Sequence, residues 1–189
     1  MQSGLLTAAQ LKKGVIFTAL VTSFLSLALI YTAFGADEFL KSLVFFILGL
    51  SAIIAAVKYT VGRGAYGYRG LGDFFVFVFF GLVAVKGTYY MFTQEWNVVV
   101  LLPAITIGLL SVAVLNLNNM RDRQSDARVN KNTLAVIMGE KRVKFYHYAL
   151  IGIAFLAALL FFYLTNTWKW SSVALLVFAI LIKHLVYVM

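Results

Sequence analysis

"VIFTALVTSFLSLALIYTAF" (residues 15–34) runs for twenty residues without one charged side chain. At a helical rise of 1.5 Å per residue, about 20 apolar residues cross a hydrocarbon core about 30 Å thick. A barrel strand would be about half as long and would alternate in polarity, so this run reads as a transmembrane helix. Five further runs have the same character, at 39–57, 74–92, 97–117, 147–165 and 171–189. None resembles another closely enough to be a repeat, and no linker divides them. The expected fold is an all-α membrane protein of six transmembrane helices, with residues 1–189 forming one helical bundle.

Composition agrees. The chain is 62% hydrophobic and 12% charged, with a mean hydropathy of +0.92, whereas soluble domains are about a quarter charged. Too little polar surface remains to coat a water-soluble globule. Cysteine is absent, which excludes disulfides, thiolate metal sites and a cysteine nucleophile.

Basic residues outnumber acidic ones 16 to 7, a formal charge of +9. In a soluble protein that excess would raise nucleic acid as a partner. Here the gathering of basic residues in cytoplasmic loops accounts for it, and the expected surroundings are membrane lipid, with no nucleic acid. Lys12, Lys13, Lys58, Arg63, Arg69, Arg121, Arg123, Arg128, Lys131, Lys141, Arg142 and Lys144 fall on one side of the spans, and only Lys41 and Lys169 on the other. The imbalance assigns the first side to the cytoplasm. The opposite loops carry Trp96, Trp168 and Trp170, as an interfacial aromatic belt would.

The opening "MQSGLLTAAQLKKG" lacks the basic n-region and short apolar run of a signal peptide. Thr7 followed by Gln10 reads as a capping box entering a helix. Together with the abrupt ending "KHLVYVM", this reads as a piece of a longer protein. Inside the spans, Pro103 is expected to kink the fourth helix. Lys86 lies about 18 Å into the third span at 1.5 Å per residue. It is a functional candidate by default, yet close enough to the outer end to snorkel. His147 and His184 have no ligand partner at helical spacing and read as interfacial histidines.

Charge is concentrated in "NLNNMRDRQSDARVNKNTLAV" (residues 116–136), which holds Arg121, Asp122, Arg123, Asp126, Arg128 and Lys131. On a helix Asn118, Asp122 and Asp126 stand at i, i+4 and i+8 on one face. Carboxylates one turn apart repel unless a cation lies between them. An all-oxygen set suits Mg²⁺, which commonly bridges one or two carboxylates to substrate phosphates. The bland alternative is a solvated loop of paired charges. A second basic loop, "KYTVGRGAYGYRGLGD" (residues 58–73), has five glycines that let backbone N–H groups form anion-binding nests. Arg63 and Arg69 add bidentate phosphate donors, and Tyr59, Tyr66 and Tyr68 add hydroxyls and ring faces. Both loops fall on the same side, which makes a shared diphosphate site at the mouth of a bundle the expectation.

"NNMRDRQSDARVNKNTLAVIMG" preceded by "KYTVGRGAYGYRGLGD" closely resembles the UbiA superfamily of intramembrane aromatic prenyltransferases. Within it the match is to the menaquinone branch. Ubiquinone-branch members usually carry aspartate where this chain has Asn118, and a different ending where it has "KNTLAV". The resemblance covers essentially the whole chain. It implies a multi-pass protein of the bacterial inner (cytoplasmic) membrane that transfers a polyprenyl group from polyprenyl diphosphate to 1,4-dihydroxy-2-naphthoate, with loss of CO₂, giving demethylmenaquinone. Asp122 and Asp126 would be the catalytic pair and would hold Mg²⁺, with Asn118 or Asn119 assisting. Tyr59, Arg63, Tyr68, Arg69, Arg121 and Lys131 would meet the diphosphate. Tyr59 and Arg63 have the spacing of the family's YxxxK element, with arginine in place of lysine.

The departure is as informative. Members of the family carry a second aspartate-rich motif, NDxxDxxxD, on an early helix, and nine helices in all. No second acidic cluster is present here: Asp37 and Glu38 are on the wrong side, and Asp73 and Glu140 are isolated. The expectation is a piece lacking two helices at the front and one at the back, and inactive alone. Three rivals remain. A 4-hydroxybenzoate or other quinone-branch enzyme of the same superfamily would be separated by its acceptor. A CDP-alcohol phosphotransferase would need a DG dipeptide before the aspartates, which is absent. A non-enzymatic six-helix transporter subunit would explain the bundle but not the cytoplasmic aspartates beside Gly-Arg loops.

Overall fold

A computed structural model describes residues 7–60, 62, 65–168 and 170–188. Arg63, Gly64 and Lys169, all used in the reading above, lie outside the described residues. Among those described there is no strand, and five helices are long and apolar enough to cross a membrane: Ala8–Phe34, Phe39–Thr60, Gly72–Thr93, Val98–Arg121 and Leu134–Thr165. The chain divides into two compact units, Met1–Ile54 and Ala55–Met189.

In the first unit, α1 (Ala8–Phe34) opens on the expected capping box. Gln10 donates its N–H to Thr7 Oγ1 at 3.2 Å, and Thr7 donates its N–H to Gln10 Oε1 at 2.9 Å. The helix ends where Gly35 adopts φ 66° and donates its N–H to the Tyr31 carbonyl at 2.8 Å, a conformation that costs glycine least. α2 (Phe39–Thr60) follows. Phe34 and Phe45 bring their rings to 5.0 Å. Large apolar side chains such as Phe17 and Phe24 stay exposed, as helices bathed in lipid require.

In the second unit, α3 (Gly72–Val76) leads into a π-helical stretch (Phe77–Lys86) and then α4 (Gly87–Thr93). The wide turn was not foreseen by the sequence. It packs against α5 (Leu101–Arg121), and the closest approach is at two glycines. A Cβ on Gly81 would lie 2.6 Å from the Ala104 carbonyl oxygen and 2.8 Å from Gly108 Cα. Small residues here let the backbones touch. On its other side α5 meets α7 (Leu134–Thr165) in a core of Val112, Ala113, Leu150, Ile151, Ala154 and Ala158, with Phe178 from α8 (Leu176–Val188). The Thr106 hydroxyl binds the Leu102 and Ala154 carbonyls, so a polar group crosses the apolar seam with its bonding satisfied.

Four expectations change. Pro103 does not kink a helix: a 3₁₀ turn (Val98–Val100) precedes α5, and Pro103 falls in the first helical turn, where donors have no intrahelical acceptor anyway. The fifth span begins at Leu134 rather than at 147, and Gly139 (φ 75°, ψ 174°) breaks it after one short turn. Among the described residues five spans are found where six were expected. Residues 171–189 were to cross as one helix, but Trp170–Leu175 winds as 3₁₀ and α8 has only 13 residues, about 20 Å of α-helix. His147 is fully buried rather than interfacial, with its ring 5.6 Å from that of His184. Lys86 follows the snorkelling reading, with its ammonium 5.2 Å above the Trp96 ring.

Candidate diphosphate site

The two loops singled out in the sequence meet. Asn132 donates its backbone N–H to the Tyr68 carbonyl at 3.1 Å, tying the segment after the aspartates to the glycine-rich one. Between them lies a hollow of about 520 Å³, lined by Thr60, Gly62, Tyr68, Arg69, Asn130 and Asn132, with Ala65 at its base. Local chemistry sets each wall. Tyr66–Tyr68 forms a 3₁₀ turn, anchored by the Tyr66 hydroxyl on the Ala55 carbonyl (2.8 Å) and by its ring stacked 4.0 Å from Phe75. Burial pushes the Tyr66 phenol above its ordinary range. Gly67 and Gly72 make room for the Tyr59 ring, since a Cβ on either would lie 3.2 Å from it. The Tyr59 phenol is within electrostatic reach of Lys131, Asp73 and Asp126.

The aspartate segment departs from one straight helix. α5 ends at Arg121, Asp122 adopts φ −92° and ψ 4°, and α6 (Arg123–Arg128) follows. The helical path persists through the junction, with Asp122 N–H on the Asn118 carbonyl (3.0 Å) and Asp126 N–H on the Asp122 carbonyl (2.8 Å). Burial then sorts the four candidate metal ligands. Asn119 and Asp126 are buried, the Asp122 side chain is 44% exposed, and Asn118 is exposed. Asn130 ends α6 with φ 55°, which asparagine tolerates. That turn carries Lys131 back, so that its Nζ donates to both Asp126 oxygens at 3.2 and 3.3 Å.

Arg121 stands elsewhere. It binds Asp122 through Nε (2.8 Å) and Nη2 (3.0 Å), and these bonds hold the Asp122 carboxyl below the usual carboxylate range. Its guanidinium lines a separate hollow with Arg123, Glu140 and Lys144, where Arg123 and Glu140 pair at 3.1 Å. Thus Tyr59, Tyr68, Arg69, Asp126 and Lys131 gather around the joined loops, whereas Arg121 does not join them. Among the described residues no three His, Cys, Asp or Glu side chains form a metal cluster.

The sequence reading missed two things. Asn130 and Asn132 line the hollow, and only their place beside Lys131 hinted at it. Asp73, read as isolated, is 5% exposed and accepts the Tyr146 hydroxyl at 2.9 Å. A contact across 73 positions leaves no local signal.

The UbiA prenyltransferase family matches over residues 2–189. The chain is 43% identical over its whole length to the 1,4-dihydroxy-2-naphthoate octaprenyltransferase of Haemophilus influenzae, covering 60% of that protein. It is 40% identical, again over its whole length, to that of Escherichia coli, covering 61% of it. A Mycobacterium tuberculosis protein of the same name is 41% identical over 68% of this chain and 43% of its own length. The chain thus spans about three fifths of the first two relatives. No solved structure matches it significantly. With apolar helices and a family match over nearly every residue, the chain is a multi-pass membrane protein and belongs to the UbiA prenyltransferase family.

Proposed function

We propose that this chain carries the diphosphate-binding half of an enzyme that transfers a polyprenyl group to 1,4-dihydroxy-2-naphthoate, releasing diphosphate and CO₂ and giving demethylmenaquinone. The observation that carries this reading is the Asn132–Tyr68 bond at 3.1 Å, which closes a cationic, amide-rich hollow beside a buried Asp–Lys pair. The names of the two relatives matched over the whole chain support the acceptor. The loops would face the cytoplasm of a bacterium, on the inner membrane, because nearly all the basic residues belong to that side.

The donors fit Mg²⁺. Asp122 and Asp126 offer hard oxygens one helical turn apart, which suits an ion that takes one or two carboxylates and completes its shell with water and phosphate. Asn119, buried near them, is better placed than Asn118 to assist. When bound, the ion would neutralise charge on the departing diphosphate. Lys131, released from Asp126 as the carboxylate turns to the metal, would meet the same charge, and Arg69 and the backbone of the glycine loop would hold the phosphate oxygens. Tyr59 would orient Lys131 from below. Arg63 would add a further phosphate contact if the loop places it beside Arg69.

The test is Mg²⁺-dependent binding of farnesyl diphosphate to the purified chain in detergent. Binding lost in Asp126→Asn and weakened in Arg69→Met supports the reading. Equal binding by the wild type and Asp126→Asn would end it.

A further inference from the structure

Behind the glycine loop lies a second hollow, of about 330 Å³, whose walls are mainly apolar: Phe74, Phe77, Leu109, Val112 and Leu150. Asp73 and Tyr146 also line it, and the carboxylate of Asp73 is buried with the phenol bound to one oxygen at 2.9 Å. A buried carboxylate beside phenylalanine and leucine is unfavourable unless its lone pairs find donors. One phenol supplies a single donor to a group that accepts about four. The aspartate therefore has acceptor capacity to spare toward the hollow.

We propose that this hollow binds the aromatic acceptor, as a hydroxylated fused-ring arene that donates one ring hydroxyl to the Asp73–Tyr146 pair. The inference rests on the prenyl-transfer reading and deepens it. Size selects the ligand: ligand pockets run from roughly 300 to 1,000 Å³, so this one suits two fused rings and is too small for a polyprenyl chain. Charge selects against the diphosphate, which Asp73 would repel. An isoprenoid chain has no donor to offer the carboxylate, whereas a phenolic hydroxyl has one. Aromatic and branched aliphatic walls then hold the flat ring, and the Asp73–Tyr146 pair fixes which edge faces the loop.

The position is right for transfer. Gly70 lines this hollow, its neighbours Tyr68 and Arg69 line the diphosphate hollow, and Asn132 lines the latter while its carbonyl lies 3.4 Å from a Cβ built on Gly70. Gly70 has φ +72°, and the same Cβ would lie 3.0 Å from Ile137 Cδ1. A residue without a side chain thus stands where the two hollows share an edge.

The experiment is equilibrium titration of the full chain in detergent with 1,4-dihydroxy-2-naphthoate and with 2-naphthoate, which lacks both hydroxyls. Farnesyl diphosphate with Mg²⁺ is titrated in parallel. Asp73→Asn is expected to weaken the dihydroxy ligand about tenfold or more and Tyr146→Phe by a smaller factor. The 2-naphthoate should bind weakly and equally to all three proteins, and the diphosphate should be unaffected. Leu109→Trp, which fills the hollow, should abolish binding of the dihydroxy ligand alone, and it keeps the test decisive if Asp73→Asn does not fold. Dihydroxynaphthoate binding that survives both Asp73→Asn and Leu109→Trp overturns the proposal, as does loss of both ligands together in folded variants. If the wild type binds neither ligand, the prenyl-transfer reading fails first. If it binds the diphosphate normally and the arene without regard to Asp73 or Leu109, only this inference fails.

Discussion

Asn132 and Tyr68 are 64 positions apart and are joined by one backbone hydrogen bond of 3.1 Å. Through it the aspartate segment and the glycine loop, each ordinary alone, become two walls of one hollow. The bond uses main-chain atoms, so side-chain substitution at either position leaves it in place. The chain conformation around it is what mutation can disturb.

Gly70 is the sensitive point of that conformation. Its φ is +72°, and a methyl group added there would sit 3.0 Å from Ile137 Cδ1. Gly70→Ala should therefore destabilise the protein by about 1–2 kcal/mol. It should also weaken diphosphate and arene binding together. Thermal unfolding in detergent and parallel titrations check both parts.

The two aspartates should separate by their surroundings. Asp126 is buried and ion-paired with Lys131, while Asp122 is half exposed and paired with Arg121. Either Asp→Asn change should cut Mg²⁺-dependent diphosphate binding about tenfold or more. Only Asp126→Asn should also lower thermal stability, by about 1–3 kcal/mol, because it strands a largely buried ammonium.

Asp122 gives a pH prediction with a definite sign. Its folded-state pKa lies below the ordinary value, through the Arg121 hydrogen bonds. Its contribution to stability is therefore fully present above the unfolded pKa, about 3.9, and is lost as pH falls through the lower folded value. Carbon-13 NMR of the carboxyl should show Asp122 titrating below the usual range in the wild type. In Arg121→Met its midpoint should move up.

The glycine contact at Gly81 and Gly108 predicts a large stability effect far from the loops. Gly81→Ala places a methyl 2.6 Å from the Ala104 carbonyl oxygen, which is backbone and cannot swing aside. Overpacking of this kind costs about 1–3 kcal/mol, read as a lower unfolding temperature.

Asn116, His147 and His184 test the cost of buried polarity. Asn116 and His147 are fully buried, yet Asn116 Oδ1, His147 Nε2 and His184 Nε2 have no hydrogen-bond partner among the described residues. Replacing Asn116 alone by leucine removes the donor that faces His147 Nδ1 at 3.5 Å and should destabilise by about 1–3 kcal/mol. Asn116→Leu with His147→Leu should be close to neutral, because both partners become apolar.

Much of this was legible from local pattern. Uninterrupted apolar runs marked five of the helices, and Thr7 with Gln10 marked a helix start down to its two hydrogen bonds. The charge clusters pointed to both loops. What escaped depends on contacts distant in sequence. The π-helical turn lies in a run whose composition is that of any apolar helix, and Gly139 breaks a helix at a residue type that others, such as Gly152, carry without a break. Asp73 and His147 looked isolated because their partners, Tyr146 and His184, sit on other helices. Pro103 was over-read, since the start of its helix is set by a 3₁₀ turn that no periodicity reveals.

The most direct measurement is the affinity of the purified chain for farnesyl diphosphate with and without Mg²⁺, in the wild type and in the Asp122→Asn, Asp126→Asn double variant. The joined loops predict binding that needs the metal in the wild type and is lost in the double variant while the helices stay folded by circular dichroism. Binding that ignores Mg²⁺ and survives the loss of both aspartates would contradict a diphosphate site at these loops.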